Sequence, residues 1–205
     1  MIARRIADYL GEKLGLDAET RDVVRFGAEN LLLSCAGLGA VTLVAWLLGC
    51  PGEALAVTGV VIALRSLAGG AHLGAPLRCT LFTAMVFPAL GRAAQALAAG
   101  GHLVAGFSAG AAVLCLAAVA LLAPVDSPAK PIRTAAHRRR LRRLAILAVL
   151  AVALVTAALL ATGASRSLAA ALGTGLLWQA FILTRAGHAA LRFVDRLSAS
   201  ALCHR

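Results

Sequence analysis

RSLAGGAHLGAPLRC, from Arg65 to Cys79, interrupts a chain that on either side is mostly Ala, Leu and Val. The apolar run beginning at Ala54 and the run over 80–98 are one long rod if this stretch is helical, and two elements if it is broken. Gly69, Gly70, Gly74 and Pro76 decide for a break. A glycine inside a helix costs ~0.5–1 kcal/mol relative to alanine, and a proline ~3 kcal/mol. Two arginines, a histidine and a cysteine in the same fifteen residues make the break chemically unusual as well.

Working outward, 60% of the 205 residues are apolar and the mean hydropathy is +0.86. Soluble domains sit nearer ~45–50% apolar. The sequence therefore reads as an all-α, polytopic membrane protein with about six transmembrane helices at ~20 residues each. Spans are expected at 27–49, 80–98, 103–123, 144–163 and 167–184. The remaining run, Ala54 to Leu64, is short. It crosses if it reaches Ala68 with Arg65 snorkelling to the interface, or else it is re-entrant. A single domain, 1–205, is expected: interfacial helices over 1–26, a bundle over 27–184 and a tail over 185–205. Ile2, Ile6, Tyr9, Leu10 and Leu14 share one face of an N-terminal amphipathic helix, suited equally to the membrane surface or to packing on the bundle. Asp17 is placed to cap the helix that enters the first span. The tail puts Leu191, Val194, Leu197 and Ala201 on one side of a second amphipathic helix. A polar loop is expected over 124–143.

The net charge is +11 with few aromatics. The basic residues lie between apolar runs, a pattern that fits anionic membrane lipid and excludes base recognition by nucleic-acid binding. Six spans put both termini on one side, together with 65–79 and 124–143. That side holds 18 of the 20 Lys and Arg residues and is therefore expected to be cytoplasmic. No cleavable leader is expected, because the first apolar run follows a charged stretch. The five cysteines are widely spaced, without a CxxC pair, so neither a metal nor a cofactor is expected. Cys35, Cys50 and Cys115 read as small buried hydrophobes and Cys203 as a tail residue.

Cys79 differs because of its neighbours. On a continuous helix His72 would lie ~10 Å from it along the axis; a broken segment can bring the imidazole within ~3 Å of the sulfur. An imidazole that takes the proton of a thiol leaves a thiolate nucleophile, and the imidazolium can later protonate a leaving amine. One His and one Cys in a loop are also a common structural pairing. Irregular backbone in a membrane protein, however, is tolerated where it lines a cavity.

The stretch resembles the active-site motif of the accessory gene regulator B (AgrB) family, with Arg65, Gly69, Gly70, His72 and Cys79 in the family's order. APVDSPAKPI, from Ala123 to Ile132, is similar to the family's Pro-x-Asp loop, and RFGAE, from Arg25 to Glu29, to its entry into the first span. The resemblance implies a bacterial membrane cysteine endopeptidase with Cys79 as nucleophile and His72 as base. It implies cleavage of a small propeptide with an acidic C-terminal segment on the cytoplasmic side. A retained thioester would then close into a thiolactone or lactone autoinducer for quorum sensing.

Other residues carry two readings each. Arg65 stabilises an oxyanion or holds a substrate carboxylate, or else anchors a helix end. Gly69 and Gly70 permit the bend and can offer N–H groups to an oxyanion. Asp126 orients His72 or makes a structural cap or ion pair; Lys130 shapes the loop or touches substrate. The arginines over 138–143 contact lipid and attract the acidic segment. Glu29 is expected to pair with Arg25 or another interfacial cation. Gly106 and Gly110 present a small-residue face that permits a homodimer. Two rival functions, a peptide transporter and a non-enzymatic membrane adaptor, treat the 65–79 break as a loop.

Overall fold

The computed structural model describes residues 2–71, 73–101, 103–125 and 134–203, the last six by backbone alone. Eight helices account for nearly all of them: α1 (Ile2–Leu14), α2 (Ala18–Leu47), α3 (Pro51–Ala68), α4 (Pro76–Ala99), α5 (Leu103–Leu122), α6 (Ala135–Thr162), α7 (Arg166–Leu183) and α8 (Arg185–Cys203). There is no strand among the described residues. Six of them, α2 to α7, are long and apolar enough to cross a membrane, as the sequence leads one to expect.

Local chemistry sets the ends. The Asp17 side chain accepts the Thr20 N–H at 3.0 Å and starts α2. The side chain and N–H of Thr20 hold the Asp17 carboxyl below its ordinary value. Pro51 occupies the first turn of α3, where its missing N–H is no loss. That helix then runs unbroken for 18 residues, about 27 Å at 1.5 Å per residue. It starts beside Leu168 of α7 and ends where the Val125 N–H meets the Ala68 carbonyl, so α3 is long and apolar enough to cross. The expected loop over 124–143 is corrected. Thr134 caps α6 by accepting the His137 N–H at 3.3 Å, and Arg138 to Arg143 are helical. The α6 arginines brace the end of α5. Arg142 Nε donates to the Ala123 carbonyl at 2.7 Å, and Arg138 donates to that of Pro124 at 3.1 Å.

The packing logic is that of a protein in lipid. Small residues meet inside: Ala169, Ala170, Ala171, Gly173 and Gly175 bury one side of α7, which packs against α3, α4, α5 and α6. Many large apolar side chains point out, Leu121 79% and Leu154 72% exposed, while Leu64, Leu176 and Ile182 stay inside. Small interfaces let helix backbones approach closely where no hydrophobic effect separates helix from lipid. The first helix obeys the same rule. It buries Ala3, Ala7 and Gly11 against α2 and leaves Ile2, Tyr9 and Leu14 exposed. The helix packs on the bundle through its small residues, not through the large apolar face the sequence offers. On the tail helix Leu191 is buried, whereas Leu197 is 55% exposed, and Ala201 lies outside the described side chains. Arg25 pairs with Asp22 at 3.2 Å, not with Glu29. Cys50 and Cys115 are buried as expected, but Cys35 is exposed on α2.

Candidate functional site

Three chain segments meet where α3 ends. The Val125 N–H donates to the Ala68 carbonyl at 2.9 Å, and the Ala71 N–H to that of Ile182 at 2.9 Å. Gln179, fully buried on α7, donates its Nε2 to the Gly69 carbonyl at 3.0 Å. Only glycine suits the first two positions of the break. Gly69 has φ +73° and ψ −153°, Gly70 φ +138°. A Cβ on Gly69 would sit 2.6 Å from the Val125 carbonyl oxygen, and one on Gly70 3.1 Å from the Ile182 side chain. The Gly69 N–H is already bound to the Arg65 carbonyl at 3.0 Å.

Replacing Gln179 with leucine removes the one side-chain donor among the described residues that reaches the Gly69 carbonyl. The expected cost is about 1–3 kcal/mol, that of leaving a buried acceptor unpaired. A thermal melt in detergent measures it, and an unchanged melting temperature would contradict the assignment.

The break ends at Pro76, the first residue of α4, and Cys79 follows within the first turn. Its N–H donates to the Ala75 carbonyl at 3.0 Å. Its own carbonyl accepts the Thr83 hydroxyl at 2.7 Å. Half-buried, Cys79 lines two compartments at once. One, toward α7 and α8, is about 20 Å³ and is lined by Arg65, Ala71, Leu73, Trp178, Ile182 and Leu191. The other, between α2, α3 and α4, is about 280 Å³ and open. Thr83 and Phe87 line both.

Among the described residues, the larger cleft carries no charged side chain in its wall. Its hydroxyls are turned back on their own helices. Ser34 donates to the Asn30 carbonyl at 2.7 Å, Thr58 to Ala54 at 2.6 Å and Thr80 to Pro76 at 3.1 Å. The hydroxyl donors are spent, and the cleft offers a guest mostly apolar surface, with the Asn30 amide and the Cys79 sulfur in its wall. A cleft of this kind has room for apolar side chains beside the Cys79 thiol.

The structure thus brings Arg65, Gly69, Gly70 and Cys79 to one end of the bundle. His72, Asp126 and Lys130 lie outside the described residues. Sequence reasoning passed over Gln179, Trp178, Arg78 and Asp195. A lone amide in an apolar span is a signal that finds Gln179. Trp178 packs its ring on Phe82 and Phe87 of α4, with centroids 6.3 Å away in each case. Arg78, the residue before Cys79, donates to Asp195 on α8, 117 residues away; no local pattern reveals that pair.

The accessory gene regulator B (AgrB) family model matches residues 3–183, from α1 to the end of α7. No curated protein and no solved structure matches the chain.

Proposed function

The chain belongs to the accessory gene regulator B family, whose role lies in autoinducer-peptide processing, and from that premise we propose that it is a membrane cysteine endopeptidase acting on a small propeptide. The observation that supports this most is the setting of Cys79: a thiol at the broken, basic end of a multi-pass bundle, opening on an apolar cleft of about 280 Å³.

In the proposed reaction His72 accepts the Cys79 proton, and the sulfur attacks the scissile carbonyl carbon. The C–N bond then breaks, His72 protonates the leaving amine, and the amino-side peptide stays on Cys79 as a thioester. Apolar side chains of that acyl segment occupy the α2–α4 cleft. Arg65, lining the smaller compartment, supplies positive charge to the oxyanion or to a substrate carboxylate. Asp126 and Lys130 are assigned supporting roles, orienting His72 and touching the acidic segment. A thiol or hydroxyl within the retained peptide next attacks the thioester. The C–S bond to Cys79 breaks, the sulfur regains a proton, and a thiolactone or lactone leaves. Exchange of one acyl-sulfur bond for another keeps the acyl group activated, so the ring needs no nucleotide for its closure. Holding the peptide folded makes the attack intramolecular.

The site and both termini are assigned to the cytoplasmic face, because the sequence segments that six spans put on that side hold 18 of the 20 Lys and Arg residues. The arginines at the start of α6 then meet anionic lipid and the acidic segment of the propeptide.

Trapping tests the chemistry. The full-length protein is co-expressed with a candidate short, acidic-tailed propeptide, quenched in acid and mapped by mass spectrometry. The expected result is a peptide adduct on Cys79 that neutral hydroxylamine releases. Processing of the propeptide with no adduct, or with one that resists hydroxylamine, would overturn the thioester route.

A further inference from the structure

The last helix lies beyond the matched residues 3–183 yet folds back onto the Cys79 end. Thr184 separates it from α7 with extended backbone, φ −80° and ψ 161°. The Thr184 hydroxyl accepts the Gly187 N–H at 3.1 Å, and its carbonyl accepts that of His188 at 3.1 Å. The helix therefore starts afresh at a defined corner. Leu191, 5% exposed, forms part of the wall of the small compartment. One turn on, Asp195 Oδ1 lies 2.9 Å from the Arg78 guanidinium, which also donates to the Asp195 carbonyl at 3.0 Å. The other carboxylate oxygen fills the space over Gly74, 3.0 Å from where a Cβ would stand. Arg192 and Phe193 are exposed.

These contacts leave the two sides of Cys79 unequal. Under α8 the space is about 20 Å³, room for about one water. Toward α2 it is about 280 Å³ and open.

We propose that α8 is a strap that closes one side of the Cys79 cleft, plugged by Leu191 and latched by the Asp195–Arg78 ion pair. The sulfur is then approached from the α2–α4 side. In the peptidase reading, on which this part of the inference rests, the strap keeps water from the acyl-enzyme. Water adding to the thioester carbonyl would break the C–S bond, release the peptide as a linear acid and return a proton to the sulfur. Asp195 is a positioning residue here; it acts through Arg78. A pair that is 25% and 29% exposed is a weak clasp, and a clasp of this strength can open and reclose.

Thiol reactivity tests the strap without any peptide. Full-length protein in detergent is treated with a small hydrophilic maleimide, and labelling is followed at each cysteine by mass spectrometry. In Asp195→Asn the Cys79 rate is expected to rise about threefold to fivefold, the population shift that a partly exposed ion pair sustains. In Leu191→Ala it rises about tenfold or more, as a buried plug is lost. Labelling of Cys35, exposed on α2, stays unchanged in both. Exchanging the charges, Arg78→Asp with Asp195→Arg, returns the Cys79 rate toward that of the parent. An unchanged Cys79 rate in both single variants overturns the strap. So does a parallel rise at the buried Cys50 and Cys115, which marks general loosening of the bundle. With the propeptide present, Asp195→Asn should raise the share of linear product. A parent protein that forms no thioester sinks the peptidase reading, while the labelling result still decides the strap.

Discussion

Cys79→Ala is expected to abolish propeptide cleavage, with a fall of about 10³-fold or more in single-turnover rate, as removal of an enzyme nucleophile generally brings. The substitution takes away only Sγ. The bonds from the Cys79 N–H to Ala75 and from Thr83 to the Cys79 carbonyl use atoms that alanine keeps. The side chain is half-buried, so the melting temperature should move by only a few degrees. Under the proposed mechanism His72→Gln is expected to give a loss of the same order, because it removes the group proposed to take the thiol proton. The measurement is cleavage of the propeptide by purified protein in detergent or nanodiscs, beside a thermal melt. A folded Cys79→Ala protein that still cuts would remove the sulfur from the chemistry. It would return the transporter and adaptor readings, both indifferent to that atom.

Gly69→Ala carries the largest expected effect on stability. An L-residue at φ +73° and ψ −153° sits in backbone space that essentially only glycine uses, at a cost of about 1–3 kcal/mol. The added Cβ also meets the Val125 carbonyl oxygen at 2.6 Å, closer than real Cβ atoms come. That oxygen is backbone, in a residue whose N–H is bound to Ala68, and cannot step aside cheaply. The total is about 3 kcal/mol or more, enough to lower the melting temperature by several degrees and to cut membrane yield. Gly106→Ala is the matched control. Nothing stands within 4 Å of its Cβ position, so that change should be neutral or slightly stabilising. Equal melting temperatures for the two variants would show that the turn at Gly69 tolerates a side chain and that its geometry is not fixed as described.

Much of this arrangement was legible in the residues. The six apolar runs, the cap at Asp17 and the break between Ala68 and Pro76 all follow from composition, periodicity and the two strongest helix breakers. Other details were not legible there, for physical reasons. The arginines over 138–143 looked like a loop because hydropathy falls there, yet arginine is a good helix former and Thr134 supplies the cap. In α1 the large side chains were offered to the membrane surface or to the bundle alike; Ala3, Ala7 and Gly11 are what pack on α2, and Ile2, Tyr9 and Leu14 are exposed. The site was legible in part. Arg65, Gly69, Gly70 and Cys79 stand together in the chain and in space. Arg78 and Asp195 could not be paired in advance, because their contact closes a loop of 117 residues and leaves no periodic trace. Gln179 left a trace, a single amide in an apolar helix, whose partner is a main-chain carbonyl and so has no side-chain signature.

The seam at the Ala68 end bears on how such a bundle could work. A carrier that exposes its cargo alternately to either face must part its helices at each end in turn. Here Val125 is tied to Ala68, Ala71 to Ile182 and Gln179 to Gly69, main chain and side chain locking three separate stretches into one knot. Prising that end apart would strand several amide and carbonyl groups in a setting with few substitutes for them. A molecule sewn shut in this way suits a bench on which something is cut better than a revolving door.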